Sequence, residues 1–245
     1  MKIGILETGL RRDWMEPVFK PYPDMFADFL GRAHSGFEFE TVSVIRGEVA
    51  ASTADCDGWL ITGSRHGVYE QLDWMAPLMD FIRRLAAREV PLIGVCFGHQ
   101  IIAQALGGEV IKSERGWGLG LHRYRVERQH TWMPTHPANC DLYAFHQDQV
   151  VIQPPNSEVF LSSDFCPYAG LSYGHSIISV QAHPEFETRH ETLLLETLGG
   201  DGIPSALAHR ALDEIRAGAR SQGEMLANWF AEFLLSRRQP AAQSA

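Results

Sequence analysis

The stretch Gly94-Val95-Cys96-Phe97-Gly98-His99-Gln100 follows the apolar residues Val90, Leu92 and Ile93 and leads into Ile101 and Ile102. A strand that hands over to a helix here puts Cys96 at the bend. Such a turn forces its central residue into a strained backbone region, so the residues two before and two after must be small. Glycine stands at both places. The spacing is that of a nucleophile elbow, with cysteine where serine is usual. In that geometry the sulfur projects beyond the sheet, and the first amides of the helix beginning near Phe97 point at it. Those amides stabilise a thiolate and, later, the oxyanion of a tetrahedral intermediate. Taken alone, GxCxG is equally a buried cysteine between packing glycines.

Outward from the elbow, strands and helices alternate. Residues 2–8 form an apolar run ending in Thr8-Gly9, the pattern of a buried first strand at the sheet centre. Residues 37–44 partly alternate, and residues 59–62 run into Gly63-Ser64. Leu78, Phe81, Ile82 and Leu85 recur at helical spacing, with Pro77 in the first turn. The strand 91–95 and a helix through Leu106, closed by Gly107-Gly108, complete the series. This order predicts an α/β fold built on a parallel sheet with right-handed crossovers. Between residues 109 and 180 the segments shorten (124–126, 158–162, 177–180), which predicts a small antiparallel extension. Helical spacing then returns at Leu193, Leu194 and Leu198, and again at Ala208, Ala211, Leu212 and Ile215. A last stripe of Leu226, Trp229, Phe230, Phe233 and Leu234 is expected to pack on the chain's own core. Residues 1–238 read as a single domain and 239–245 as a flexible tail.

Composition narrows the function. Acidic residues outnumber basic ones by 30 to 21 in the 245-residue chain, which leaves no excess of cations for a nucleic-acid partner. No apolar run approaches the roughly 18 residues of a membrane helix, and the start is interrupted too quickly for a signal peptide. Cys56, Cys96, Cys140 and Cys166 form no CxxC pair, so zinc-ribbon and thioredoxin readings fall away. The expectation is a protein of the reducing cytoplasm.

A thiolate nucleophile needs a base, and the base needs an orienter. Gln181-Ala182-His183-Pro184-Glu185-Phe186 offers both within three residues, just after an apolar run. Pro184 fixes the backbone between them and biases His183 toward an extended conformation. The two segments together, 87 residues apart from Cys96 to His183, resemble the class I (triad) glutamine amidotransferases. The resemblance extends to Ile61-Thr62-Gly63-Ser64 with Val68-Tyr69, to Arg115-Gly116-Trp117-Gly118-Leu119-Gly120 and to Phe145-His146-Gln147-Asp148. These segments are most similar to the stand-alone branch related to the glutaminase domain of GMP synthase.

The resemblance implies the flavodoxin-like fold of that family, with a central, mostly parallel sheet flanked by helices. It makes Cys96 the nucleophile, His183 the acid and base, and Glu185 the orienter. Phe97 and the Gly63-Ser64 turn become the oxyanion hole, although Gly63-Ser64-Arg65 stands where the family commonly has Gly-Gly-Pro. Gln100, His146 and Asp148 are implied as substrate-binding residues. The implied reaction cleaves the γ-amide of glutamine or a γ-glutamyl compound through a Cys96 thioester, with no cofactor and no metal. No G-x-x-x-x-G-K-[ST] loop or acceptor-activating domain is present in the sequence. Either a separate synthase subunit receives the ammonia, or the protein is a free-standing hydrolase of a small-molecule substrate. A catalytically idle binding module is the third reading, and the intact Cys96, His183 and Glu185 count against it.

Overall fold

The computed structural model describes residues 1–15, 18–50 and 52–237. The tail expected at 239–245 lies outside them. The chain starts with β1 (Lys2–Leu6), α1 (Tyr22–Ala33), β2 (Glu38–Val42), β3 (Gly58–Ile61), α2 (Met75–Ala87), β4 (Leu92–Val95) and α3 (Phe97–Ala105). Strands β3 and β4 are buried at every residue, as both-face packing in a parallel sheet requires. Helix α2 buries Leu78, Phe81, Ile82 and Leu85, the stripe expected from its spacing. Helix α1 has no counterpart in the sequence reading. Its Pro21 and Pro23 look like breakers, yet they fall at the cap and in the first turn, where a missing N–H costs nothing.

The middle of the chain supplies β5 (Glu109–Lys112), β6 (Gly118–Val126), β7 (Asn139–His146), β8 (Asp148–Ile152), β9 (Ser157–Ser162), β10 (Gly170–Tyr173) and β11 (Ile177–Val180). Helices α4 (Thr188–Leu198), α5 (Ser205–Arg216) and α6 (Gly223–Ser236) follow. The main sheet has nine strands in the order β2-β1-β3-β4-β11-β10-β9-β6-β7, and β5 pairs with β8 separately. The five from β2 to β11 run parallel, whereas β10, β9, β6 and β7 pair antiparallel. The antiparallel part is therefore larger than the small extension expected. It also moves the centre of the sheet: β1 lies second from one edge, and β11 is the middle strand.

Side chains on the two faces enter separate cores. Ile3, Ile5, Ile93 and Val95 join α1 and α6 on one face. Leu6, Trp59, Ile61 and Leu92 join α2 and α3 on the other. The closing stripe packs inward as expected, with Trp229 wholly buried and Phe230 edge-on to Phe29 at 6.1 Å. A third apolar cluster, with Leu194 and Leu198 of α4 and Ala208 and Leu212 of α5, gathers against Leu119 of β6 and Tyr143 of β7. Among the described residues, no helix is long and apolar enough to cross a membrane.

Glu191 of α4 is an ionisable group inside that region. Its Oε1 accepts the Gly120 N–H at 3.0 Å, and burial pushes its carboxyl from the ordinary 4.5 up to about 8. Between those values the folded chain holds a proton that the unfolded chain has lost, so stability falls as pH rises through that window. Glu191→Gln keeps the acceptor and has no proton to lose. Urea denaturation of this variant should show a flatter pH dependence than the parent, by up to about 1.4 kcal/mol per pH unit. An unchanged slope would show that the carboxyl ionises normally in the folded protein.

Candidate active site

Cys96 sits between the end of β4 and the start of α3 with φ 54° and ψ −104°. Its N–H donates to Val180 O at 2.9 Å, which keeps it in register with β11, while its own carbonyl accepts the first helical bond, from Gln100 N at 3.1 Å. The bend has no room for side chains beside it. A Cβ at Gly94 would lie 2.6 Å from Gly98 O, and one at Gly98 would lie 2.4 Å from Ile61 O. The two glycines thus let α3 press against β3 and β4, and the residue between them takes the strain.

His183 and Glu185 leave the end of β11, the neighbour of β4 in the sheet. The His183 N–H donates to Tyr143 O at 2.8 Å, which clips this segment to β7. The imidazole Nδ1 meets Glu185 Oε1 at 2.7 Å, and both side chains are buried. Because a carboxylate accepts there, Nδ1 carries the proton and Nε2 is the atom left for the thiol. Burial alone would lower the His183 pKa, but Cys96 and Glu185, through charge and hydrogen bonding, raise it well above its ordinary value. The Phe186 ring lies flat against His183, with centroids 4.0 Å apart and planes 9° apart, and stacks in turn on His190 at 4.1 Å.

A cavity of about 430 Å³ opens in front of Cys96 and His183, a volume suited to a small organic molecule. Gly63 faces the pair: a Cβ there would stand 3.1 Å from His183 Cε1 and 3.7 Å from Cys96 Cβ. Ser64 borders the same cavity, and its hydroxyl accepts the His66 N–H at 3.2 Å. Phe97 is the first residue of α3, so its N–H has no partner within the helix.

The three substrate-binding candidates border the cavity as a linked group. Gln100 Nε2 donates to Asp148 O at 3.0 Å and to Gln181 Oε1 at 3.1 Å, so both amide protons are used within the protein. His146 Nδ1 donates to the same Asp148 carbonyl at 3.1 Å, and burial pushes its pKa down to about 3, which keeps the ring neutral. The Asp148 carboxylate accepts the Tyr69 hydroxyl at 3.1 Å. His99, inside the elbow motif, turns away and bonds Ser179 Oγ at 2.8 Å. Tyr69 and Trp117 border the cavity from motifs already visible in the sequence, whereas Leu198 and Ile203 carry no signal beyond a helical stripe and its end. Among the described residues, no group of three or more His, Cys, Asp or Glu could hold a metal ion.

Comparisons with known proteins bear on the family and the fold. Residues 33–197 match the family described as Glutamine amidotransferase class-I. Gamma-glutamyl peptidase 4 of Arabidopsis thaliana is 28% identical over 182 residues, which cover 71% of each chain. A glutamine-hydrolyzing GMP synthase subunit of Sulfolobus acidocaldarius is 29% identical over 147 residues, 60% of this chain and 76% of that one. In structure, a glutamine amidotransferase of Thermotoga maritima superposes with a TM-score of 0.71 at 19% identity over 97% of both chains. One of Methylobacillus flagellatus gives 0.69 at 23% identity, over 100% of this chain and 98% of that one. The two structures share the fold.

The close approach at the elbow is open to test by one methyl group. Gly98→Ala sets its Cβ against the Ile61 carbonyl and should destabilise the protein by more than about 2 kcal/mol. Gly31→Ala, in α1 with nothing within 4 Å of the added atom, should stabilise it by about 0.5 kcal/mol. Thermal and urea denaturation of both variants measure the contrast. Equal stabilities would mean the elbow tolerates a side chain at its rear.

Proposed function

Since the chain belongs to the class I glutamine amidotransferase family, we propose that it hydrolyses γ-glutamyl amides without a partner, with Cys96 as nucleophile, His183 as acid and base, and Glu185 as orienter. The observation that carries this reading is the strained Cys96 at the head of α3, set against an imidazole whose far nitrogen is held by Glu185 at 2.7 Å. Strain of this kind persists only where the surrounding structure enforces it, and it gathers at functional sites.

In this mechanism Cys96 Sγ attacks the γ-carbonyl carbon. The oxygen becomes an oxyanion between the Phe97 N–H and an amide of the Gly63-Ser64 turn. His183 enters the reaction protonated, in keeping with its raised pKa. It gives the Nε2 proton to the departing nitrogen, so the amine leaves neutral and a γ-glutamyl thioester remains. Water then attacks the thioester while His183 takes its proton, and collapse of the intermediate releases glutamate and expels the Cys96 sulfur as thiolate, restoring the thiolate–imidazolium pair. Gln100, His146 and Asp148 shape the pocket for the glutamyl head. The Asp148 carboxylate and the Gln100 carbonyl oxygen are acceptors for its ammonium group.

Two observations support independent turnover. The nucleophile, imidazole and carboxylate are assembled within this one chain, and a relative matching over 71% of both lengths carries the name gamma-glutamyl peptidase. The second reading is a glutaminase that delivers ammonia to a separate synthase, favoured by the likeness to a glutamine-hydrolyzing GMP synthase.

Purified protein should turn over at least one γ-glutamyl compound, among glutamine, glutathione and γ-glutamyl peptides and amines, without ATP. A kcat of at least about 1 s⁻¹ is expected, the low end of ordinary enzymes. His183→Ala should lower kcat/KM by about 10² to 10⁴-fold, and Glu185→Gln should lower it less, because an amide still orients the ring. A glutamine-like diazo-ketone should label Cys96, whereas burial pushes the thiols of Cys56, Cys140 and Cys166 up to about 11, 12 and 12. Full activity of His183→Ala, or labelling of another thiol with Cys96 unmodified, would overturn the assignment. Turnover only after a second protein is added would establish the synthase-dependent reading.

A further inference from the structure

We propose that the cavity has a separate leaving-group half built for an apolar or aromatic amine, so that the favoured ligand is a γ-glutamyl compound carrying such a group on its γ-nitrogen. For the cleavage this rests on the hydrolase reading above; for the binding it does not.

A cysteine–histidine pair divides an amide in a fixed sense. The leaving nitrogen takes its proton from the imidazole, so whatever that nitrogen carries lies on the histidine side, and the acyl chain lies on the other. The two sides of this cavity differ in chemistry. Beside Cys96 the lining is polar: Gln100, one turn into α3, is bonded to the Asp148 main chain, and the Asp148 carboxylate is bonded to the Tyr69 hydroxyl. Beside His183, apart from the Glu185 carboxylate that the imidazole engages and the ring-borne hydroxyl of Tyr22, the lining is apolar. The imidazole lies flat on Phe186, and Phe186 on His190 of α4. Leu194 and Leu198 continue the same face of that helix, one and two turns on, and Ile203 follows it. Trp117 and Phe145, in ring contact at 5.8 Å, close the wall.

These side chains belong to one apolar cluster, distinct from the cluster that contains Cys96 and from the one that contains most of α3. Phe186, Leu194, Leu198, Ile203, Trp117 and Phe145 all border the cavity. The charges on its rim, Arg12 and Asp201, are exposed and of opposite sign, so the half as a whole selects for apolar surface rather than for net charge. Ammonia, the leaving group of free glutamine, would touch none of this wall. An apolar substituent would bury surface against it in ground state and transition state alike.

The test separates binding from chemistry. Calorimetry on the Cys96→Ala protein, which cannot form the thioester, should show γ-glutamyl-phenylalanine bound at least about tenfold more tightly than γ-glutamyl-glycine. In the parent protein the kcat/KM ratio for the two dipeptides should favour phenylalanine by a similar factor. Leu198→Asp should bring that ratio toward one, and Trp117→Ala, at a half-buried position, serves if the first variant does not fold. Equal binding of the two dipeptides, preference for glycine, or no binding of either overturns the proposal. Tighter binding of the phenylalanine compound, with no cleavage of any γ-glutamyl compound by the parent, would leave the apolar half standing and remove the hydrolase reading. Cleavage of both at equal efficiency would do the reverse.

Discussion

The arrangement depends on a close approach between backbones. Helix α3 starts so near the end of β3 that Gly98 faces the Ile61 carbonyl at a distance no Cβ could occupy. Cys96 has to turn through a positive φ to connect β4 to a helix set that close. From this contact follow the placement of Cys96 on the cavity at the head of α3 and the nearness of Gly63 to both Cys96 and His183. A longer connection would relax the cysteine and separate the helix from the sheet together. Backbone strain and pocket shape are in this sense one feature.

The imidazole beside Cys96 is held by different means. His183 is fixed by a main-chain bond to Tyr143, by the Glu185 carboxylate and by the Phe186 ring beneath it. Three kinds of restraint act along three directions, so the imidazole has little freedom to rotate out of line. The stack onto His190, whose ring nitrogens find no partner among the described residues, brings burial rather than hydrogen bonding to the rear of the site. Burial pushes the His190 pKa down to about 3. A neutral ring there adds no positive charge behind the His183 imidazolium.

Much of this was legible in the sequence where geometry leaves residues little choice. The elbow glycines, the His-Pro-Glu run and the apolar strands are each ambiguous alone, but together they leave few arrangements. The parallel half and α2, α3 and α6 follow from those patterns. Legibility failed where partners are far apart in the chain. Strand β7 carries Asn139, Asp141 and His146 and has no clean alternation, because it is ordered by β6 and by His183 rather than by its own face pattern. Trp117, Phe145 and Phe186 lie in motifs visible in the sequence, but Leu198 and Ile203 had no signal, since they look like the end of any amphipathic helix. Gln100 could be located near the site, but not the use of both its amide protons on Asp148 and Gln181. Such bonds exist only after the chain has folded.

The clip between His183 and Tyr143 has a consequence for how the site is assembled. Cys96 is carried by the parallel half of the sheet, while the segment bearing His183 is fastened to the edge strand of the antiparallel half. Cys96 and His183 are therefore joined across a seam. A parallel half folded by itself would hold a thiol at the end of β4 with no hairpin to hold the imidazole over it. The group proposed to react is in this way complete only in the fully folded chain, and a partly folded intermediate holds Cys96 without His183 beside it.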